Sequence, residues 1–326
     1  MASTLVYILA YLGLISSAAI IVRKVCAYRR NPLHVRWEIY PVPHEADRAA
    51  HGGSYLEDVD WWKHKQQPNH FAACKALLAE LLFLRLTLES QPDLWRRTYP
   101  FHAGIYLLLG AIFLTLLAAL AALGGIDPGL VLTALGNIVQ VLSFVGFLGI
   151  IWGGVALIRR RLNTPDLRIY STREHFFNLG AFVCFAALGL LNWLASPSFF
   201  LKTRAFIESM LTFAFLPLES CLFGLFLVSG FALAAYVPAT HMGHFFMKYF
   251  LYHDIRWDDR PVCDSPDLRA KIAKALAFPV SWRASHIAGD GVKTWAEAAL
   301  ENPAQNAAKD CNGTQDSKGE KDESAA

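Results

Sequence analysis

Charge is what this sequence has least of. Only 17% of its 326 residues are Asp, Glu, Lys or Arg. They collect in the segment around 23–98, in the stretch 159–173, and in the tail after 253. Between those segments lie long uncharged runs. Hydrophobic residues make up 54% of the chain, and mean hydropathy is +0.32. A soluble domain of this length rarely averages so apolar, and the pattern is that of a polytopic membrane protein. A CxxC pair is also missing: the six cysteines, Cys26, Cys74, Cys184, Cys221, Cys263 and Cys311, stand singly. The chain therefore carries no iron–sulfur or zinc framework of its own. A net charge of +3 is too small to imply a nucleic-acid partner. There is no phosphate loop and no nucleophile–base pair, so the chain is not expected to be catalytic alone. No repeat relates its halves and no charge sits at mid-membrane, which argues against a transporter.

What is present is five long apolar runs. They cover about Leu5–Val22, Pro100–Leu123, Leu130–Ile158, Phe176–Leu194 and Leu218–Phe246. Each has the ~20 residues needed to cross ~30 Å of hydrocarbon. The expected fold is an all-α bundle of about five transmembrane helices. Basic residues follow the first run rather than precede it, so it reads as a retained anchor and not a signal peptide. Arg23, Lys24, Arg29, Arg30, Arg36, Arg96 and Arg97 lie in the loop after the first span, and Arg159, Arg160, Arg161, Arg168 and Arg173 in the loop after the third. The other loops hold only Lys202 and Arg204. The positive-inside rule then puts the N-terminus outside and the C-terminus in the cytoplasm. Phe71–Ser90 is leucine-rich, but Lys75, Glu80, Arg85 and Glu89 interrupt it. Spanning at that charge density is costly, so an interfacial or partner-bound helix is expected. The parts are thus a first transmembrane helix (1–22), a cytoplasmic loop with an interfacial helix (23–98), a four-helix membrane core (99–250), a cytoplasmic tail (251–301) and a low-complexity polar terminus (302–326), for which disorder is expected.

Histidine supplies the chemistry. On this topology none of the eleven histidines falls on the outer side. Four lie at the inner ends of spans: His102, His175, His241 and His244. A membrane histidine is costly unless it is paired or bound. Two imidazoles from facing helices are a natural axial pair for a low-spin haem iron. His102 opens the second span in YPFHAGIYLLLG, where Pro100 suits a helix start, and Ala103 and Gly104 leave room for a macrocycle. His244 closes the fifth span in YVPATHMGHFF, where Pro238 should kink the helix and Gly243 thin it. In a continuous helix His241 lies about 60° round from His244, as an alternative ligand or a propionate partner. His175 begins the fourth span. For each, an interfacial histidine bonded to water is the plain alternative. Arg96, Arg97 and Arg173 are positive-inside residues first and haem-propionate candidates second.

At these residues the chain resembles a known family. Pro238 followed by His244, and FHAGIYLLLG around His102, resemble the respiratory nitrate reductase gamma subunit over roughly 95–250. NPLHVRWEIYPVPHE (Asn31–Glu45), GGSYLEDVDWW (Gly52–Trp62) and VSWRASHIAGDGVKTW (Val280–Trp295) resemble the gamma-like cytochrome b subunits of sulfate-respiration membrane complexes. Those are the transmembrane cytochrome c complex, the high-molecular-weight cytochrome complex and the sulfite-reduction-associated complex. The resemblance implies haem b on His102 and His244. It also implies electron exchange between menaquinone, or an outer multihaem cytochrome c, and a cytoplasmic iron–sulfur subunit similar to heterodisulfide reductase. The nitrate reductase gamma subunit binds a second, outer haem, and its ligand positions here read Ile112 and Phe226. One haem near the inner face is therefore expected; a second would need His175 and His241.

Two further features stand apart from the haem. Glu219 is the lone acid of the fifth span, ~37 Å along a helix from His244, and is expected to pair with Lys202 or Arg204. The loop 31–64 holds Trp37, Tyr40, Tyr55, Trp61 and Trp62 among acids. Its aromatic density suits docking of the iron–sulfur subunit, against aromatic-belt packing on the membrane surface. A different class of function, a haem-free anchor for such a partner, keeps the loops and does not need His102 or His244.

Overall fold

Backbone groups in hydrocarbon have no water to bond, so each apolar run must satisfy its own N–H and C=O groups, and a helix does that. The computed structural model describes residues 2–30, 70–126, 129–248, 265–284 and 287–300. The helices of the membrane part are α1 (Ala2–Arg30), α2 (His70–Phe83), α3 (Arg85–Ser90), α4 (Pro92–Leu123), α5 (Gly129–Asn163), α6 (Pro165–Ile169), α7 (Arg173–Ala195), α8 (Phe199–Thr212), α9 (Cys221–Tyr236) and α10 (His244–Lys248). Five of them, α1, α4, α5, α7 and α9, are long and apolar enough to cross a membrane. The protein is a multi-pass α-helical membrane protein, as its hydropathy predicts. The expected disorder of 302–326 lies outside the described residues.

Three expectations are corrected in detail. The second span does not start at Pro100: α4 starts at Pro92 in its first turn and runs through Pro100. The fifth span does not continue to Phe246. It leaves α-geometry after Tyr236, passes two 3-10 turns, Val237–Ala239 and His241–Gly243, and resumes as α10. Pro238 therefore breaks the helix rather than kinking it, because proline lacks the N–H and clashes with the preceding turn. The third concerns Phe199–Thr212, which the sequence reading leaves within a loop whose only bases are Lys202 and Arg204 but which is helix α8, with Phe199, Phe200, Phe206 and Ser209 buried. The leucine-rich segment divides at Leu84, which sits at φ 51 and ψ 47. That leaves the 14-residue α2, too short to span.

Glycine sets the packing of α4 on α5. A Cβ on Gly104 would lie 2.6 Å from the Gly146 carbonyl oxygen, and one on Gly149 2.8 Å from the Pro100 carbonyl oxygen. A Cβ on Gly153 would lie 2.6 Å from the Phe101 amide nitrogen. Gly149 and Gly153 form the small-xxx-small spacing that lets two membrane helices approach backbone to backbone. Gly104 is thus taken up by the contact with α5, where the sequence reading gave it to a macrocycle. The close approach fixes the face that α4 shows to the rest of the bundle. α7 packs on α5 and on α9, and α8 lies across α4 and α5. At the N-terminal end of α1, Tyr7 stacks on Phe206 at 4.9 Å, and Leu218 N–H donates to Ser3 Oγ at 3.0 Å.

The described part of the tail is a separate unit. It contains α11 (Pro266–Leu276), a two-residue antiparallel hairpin of β1 (Arg283–Ala284) and β2 (Ile287–Ala288), and α12 (Trp295–Leu300). Backbone N–H groups of Val292 and Lys293 donate to Asp290, which holds that carboxyl below its ordinary range.

The glycine seam is testable. Gly153→Leu forces a side chain into the Phe101 backbone, and overpacking of this kind costs about 1–3 kcal/mol. Gly110 has open space where its Cβ would go, so Gly110→Ala is expected to be neutral or slightly stabilising. Thermal unfolding of the two variants in detergent checks the contrast.

Candidate functional site

The break after Tyr236 builds the site. Its loosened backbone is satisfied locally. Lys24 Nζ donates to the Ala239 carbonyl at 3.1 Å. Met242 N–H donates to Thr240 Oγ1 at 3.1 Å. Because the chain turns here, His241 and His244 are not related by α-helical rotation, and the expected 60° offset does not apply. His241 enters a 3-10 turn and His244 opens α10.

His244 arrives beside His102. The two imidazole centres are 6.1 Å apart with their planes at 61°. His102 is half-buried and His244 exposed. Two imidazoles brought together from separate segments of the bundle could hold a metal or haem iron. His102 Nδ1 lies 2.8 Å from the Thr98 carbonyl oxygen. A carbonyl only accepts, so Nδ1 carries the proton and the lone pair sits on Nε2. A ring N–H given to a backbone carbonyl is the usual second contact of a metal-bound histidine, and it fixes tautomer and ring orientation. Phe101 and Tyr106 flank the His102 ring at 5.7 and 6.5 Å.

His175 and His241 also come together, with ring centres 5.2 Å apart. Their chemistry differs from that of the first pair. His175 Nδ1 accepts from the Thr172 N–H at 3.0 Å. Its proton therefore sits on Nε2, the nitrogen that would otherwise face a metal. His175 is used as a helix cap. His241 Nδ1–H donates to Glu174 Oε1 at 3.2 Å. Behind them the buried Asn178 accepts from the Tyr236 hydroxyl at 2.7 Å, and its amide nitrogen stands 3.5 Å from His241 Nδ1. Asn178 and Tyr236 were not singled out in the sequence. A lone Asn one turn after His175 was the available signal, since a buried amide needs partners.

The three arginines part company. Arg96 pairs with Asp93 at 3.3 Å and is exposed. Arg173 is the exposed first residue of α7. Arg97 lines a cavity of about 470 Å³ together with Arg159 and Arg160.

The opposite half of the bundle is filled with rings. Phe226 lies in a cluster with Phe147, Phe185, Phe199 and Phe223, with ring centres 5.3 to 6.3 Å away. Ile112 and Phe226 line a shared cavity of only about 50 Å³. At the same end Lys202 Nζ pairs with Glu219 Oε2 at 2.5 Å, as expected, while Arg204 pairs with Glu208 at 2.8 Å. Compared with what is known, the chain matches no family model, no curated protein and no solved structure.

Because His175 is the N3 side of a capping box with Thr172, His175→Ala is expected to destabilise the protein by about 0.5–1.5 kcal/mol, and His175→Asn, which keeps a short acceptor, to recover part of the loss. Unfolding midpoints of the two variants measure the difference.

Proposed function

We propose that this chain is the cytochrome b subunit of a sulfate-respiration complex in the cytoplasmic membrane. It would pass electrons between the menaquinone pool, or an outer multihaem cytochrome c, and a cytoplasmic iron–sulfur subunit similar to heterodisulfide reductase. One observation carries the haem part of the reading, and the respiratory role rests on the sequence resemblance. His102 and His244, distant in sequence, come together with ring centres 6.1 Å apart, and the Thr98 carbonyl puts the His102 lone pair on Nε2. The residues fit a bis-histidine haem b. When bound, that group supplies reversible one-electron chemistry at iron. The chain's own part is to hold the two rings, to orient His102 through Thr98, and to close the far half of the bundle with phenylalanine.

A single haem is the better supported count. The positions of the second haem's ligands are held here by Ile112 and Phe226, and Phe226 is packed among Phe147, Phe185, Phe199 and Phe223. The His175 tautomer disfavours a second site with His241. Asp93 draws Arg96 into a protein contact, while His241, with its Nδ1–H on Glu174, keeps a lone pair on Nε2, so it is His175 that disfavours the second site; Arg97 and Arg173 remain propionate candidates by position alone.

The ligand assignment predicts that His102→Ala and His244→Ala each abolish the low-spin b-type spectrum of the purified membrane protein, while His175→Ala keeps it. An unchanged spectrum in either of the first two variants sinks the assignment. Absence of any haem in the wild type would instead favour the haem-free anchor. The docking role of the loop 31–64 falls on residues outside the described ones. Deleting Gly52–Trp62 is expected to lose the iron–sulfur partner on co-purification while the b-type spectrum stays. Retention of the partner contradicts docking by this segment.

A further inference from the structure

Of the residues lining the cavity at the arginine-rich ends of α4 and α5, only Arg97 enters the haem reading. The cavity measures about 470 Å³ and is lined by Arg97 from α4 and by Arg159, Arg160, Trp152, Ile151 and Val155 from α5, with Asn163 and Thr164 at its rim. Two features make it unusual. The first is charge. Three arginines from two helices line one concavity, and among the described residues no Asp or Glu does. The neighbouring bases are otherwise engaged: Arg161 donates to Ser171 Oγ at 3.1 Å, and Arg96 goes to Asp93. Like charges brought together call for an anion. The second feature is the wall. Trp152 is 69% exposed, and with Ile151 and Val155 it gives the cavity an apolar flank running toward the middle of the span. From Ile151 to Arg160 a helix rises ~14 Å, about the depth of one leaflet of a ~30 Å hydrocarbon core.

The glycine seam explains how the cavity forms. Gly153 lets Phe101 and the Arg97 carbonyl approach so closely that a Cβ there would lie 2.9 Å from Arg97 O. That contact brings the Arg97 stem beside Arg159 and Arg160. A single charged helix end would only satisfy the positive-inside rule; a concave site shared by two helices, basic above and apolar below, has the shape of a bound lipid.

We propose that this cavity binds an anionic phospholipid. Its phosphodiester lies against Arg97, Arg159 and Arg160, and its first acyl segment against Trp152, Ile151 and Val155. Basic pockets between transmembrane helices hold anionic headgroups in this way, and guanidinium forks match phosphate oxygens. A phosphate alone satisfies the arginines but not the apolar wall, so the two ligand sources are separable.

The test uses the full chain, purified in mild detergent, delipidated, and titrated separately with phosphatidylglycerol, phosphatidylcholine and inorganic phosphate, with bound ligand read by native mass spectrometry. Phosphatidylglycerol is expected to bind about tenfold more tightly than phosphatidylcholine. Arg159→Gln with Arg160→Gln removes that preference. Arg29→Gln with Arg168→Gln, which changes net charge equally, keeps it, and Trp152→Ala weakens the lipid at least severalfold. Equal binding of the two lipids by the wild type overturns the proposal, and this comparison needs no variant to fold. Equal loss in both double variants overturns it as a general charge effect. Displacement of the lipid by equimolar inorganic phosphate overturns it in favour of a phosphate site.

Discussion

A helix in hydrocarbon can open its backbone only where something else satisfies the freed groups. In this protein the opening occurs once in the fifth span, after Tyr236, and the rest of the site depends on it. Pro238 forces the opening, and Lys24 and Thr240 satisfy it. The loosened chain carries His241 to Glu174 and His244 to His102. A straight helix through Phe246 would carry both histidines on along its own axis. Position along the span matters as much as the proline. The break lies at the arginine-rich end, where lysine and polar side chains reach it, and not among the phenylalanines.

The two ends of the bundle are built from different chemistry on one scaffold. The α4–α5 seam, closed by Gly104, Gly146, Gly149 and Gly153, holds two backbones in contact. Beyond it toward α8, Phe147, Phe185, Phe199 and Phe226 fill the space. On the other side lie four histidines, Asn178, Tyr236 and the arginines. A redox group at the polar end would be insulated from the opposite surface by a packed aromatic layer. Electrons or reducing equivalents from that surface would then have to arrive through another subunit or through a carrier reaching the polar end.

Much of this was legible in the residues. Charge-free runs located the five spans, because the price of burying a charge in lipid leaves few alternatives. His102 and His244 stood out as costly residues at the same end. Three features were hidden, each for a physical reason. Hydropathy does not register where an apolar segment stops being helical, so the break at Pro238 read as a kink. Phe199–Thr212 carries Lys202, Arg204 and Glu208, which masked its amphipathic face of Phe199, Phe206 and Ser209. The role of Gly104 depends on what faces it: opposite a haem it makes room, opposite Gly146 it makes a helix contact. Tautomers are invisible in sequence altogether, yet they separate His102, which donates from Nδ1, from His175, which accepts there.

The central claim is that this bundle holds one haem b between His102 and His244. The most direct test is haem b per polypeptide on the purified wild-type protein by pyridine haemochrome. The account predicts about one per chain. A value near two would contradict the filled aromatic half and the His175 cap, and a value near zero would remove the haem-binding role altogether.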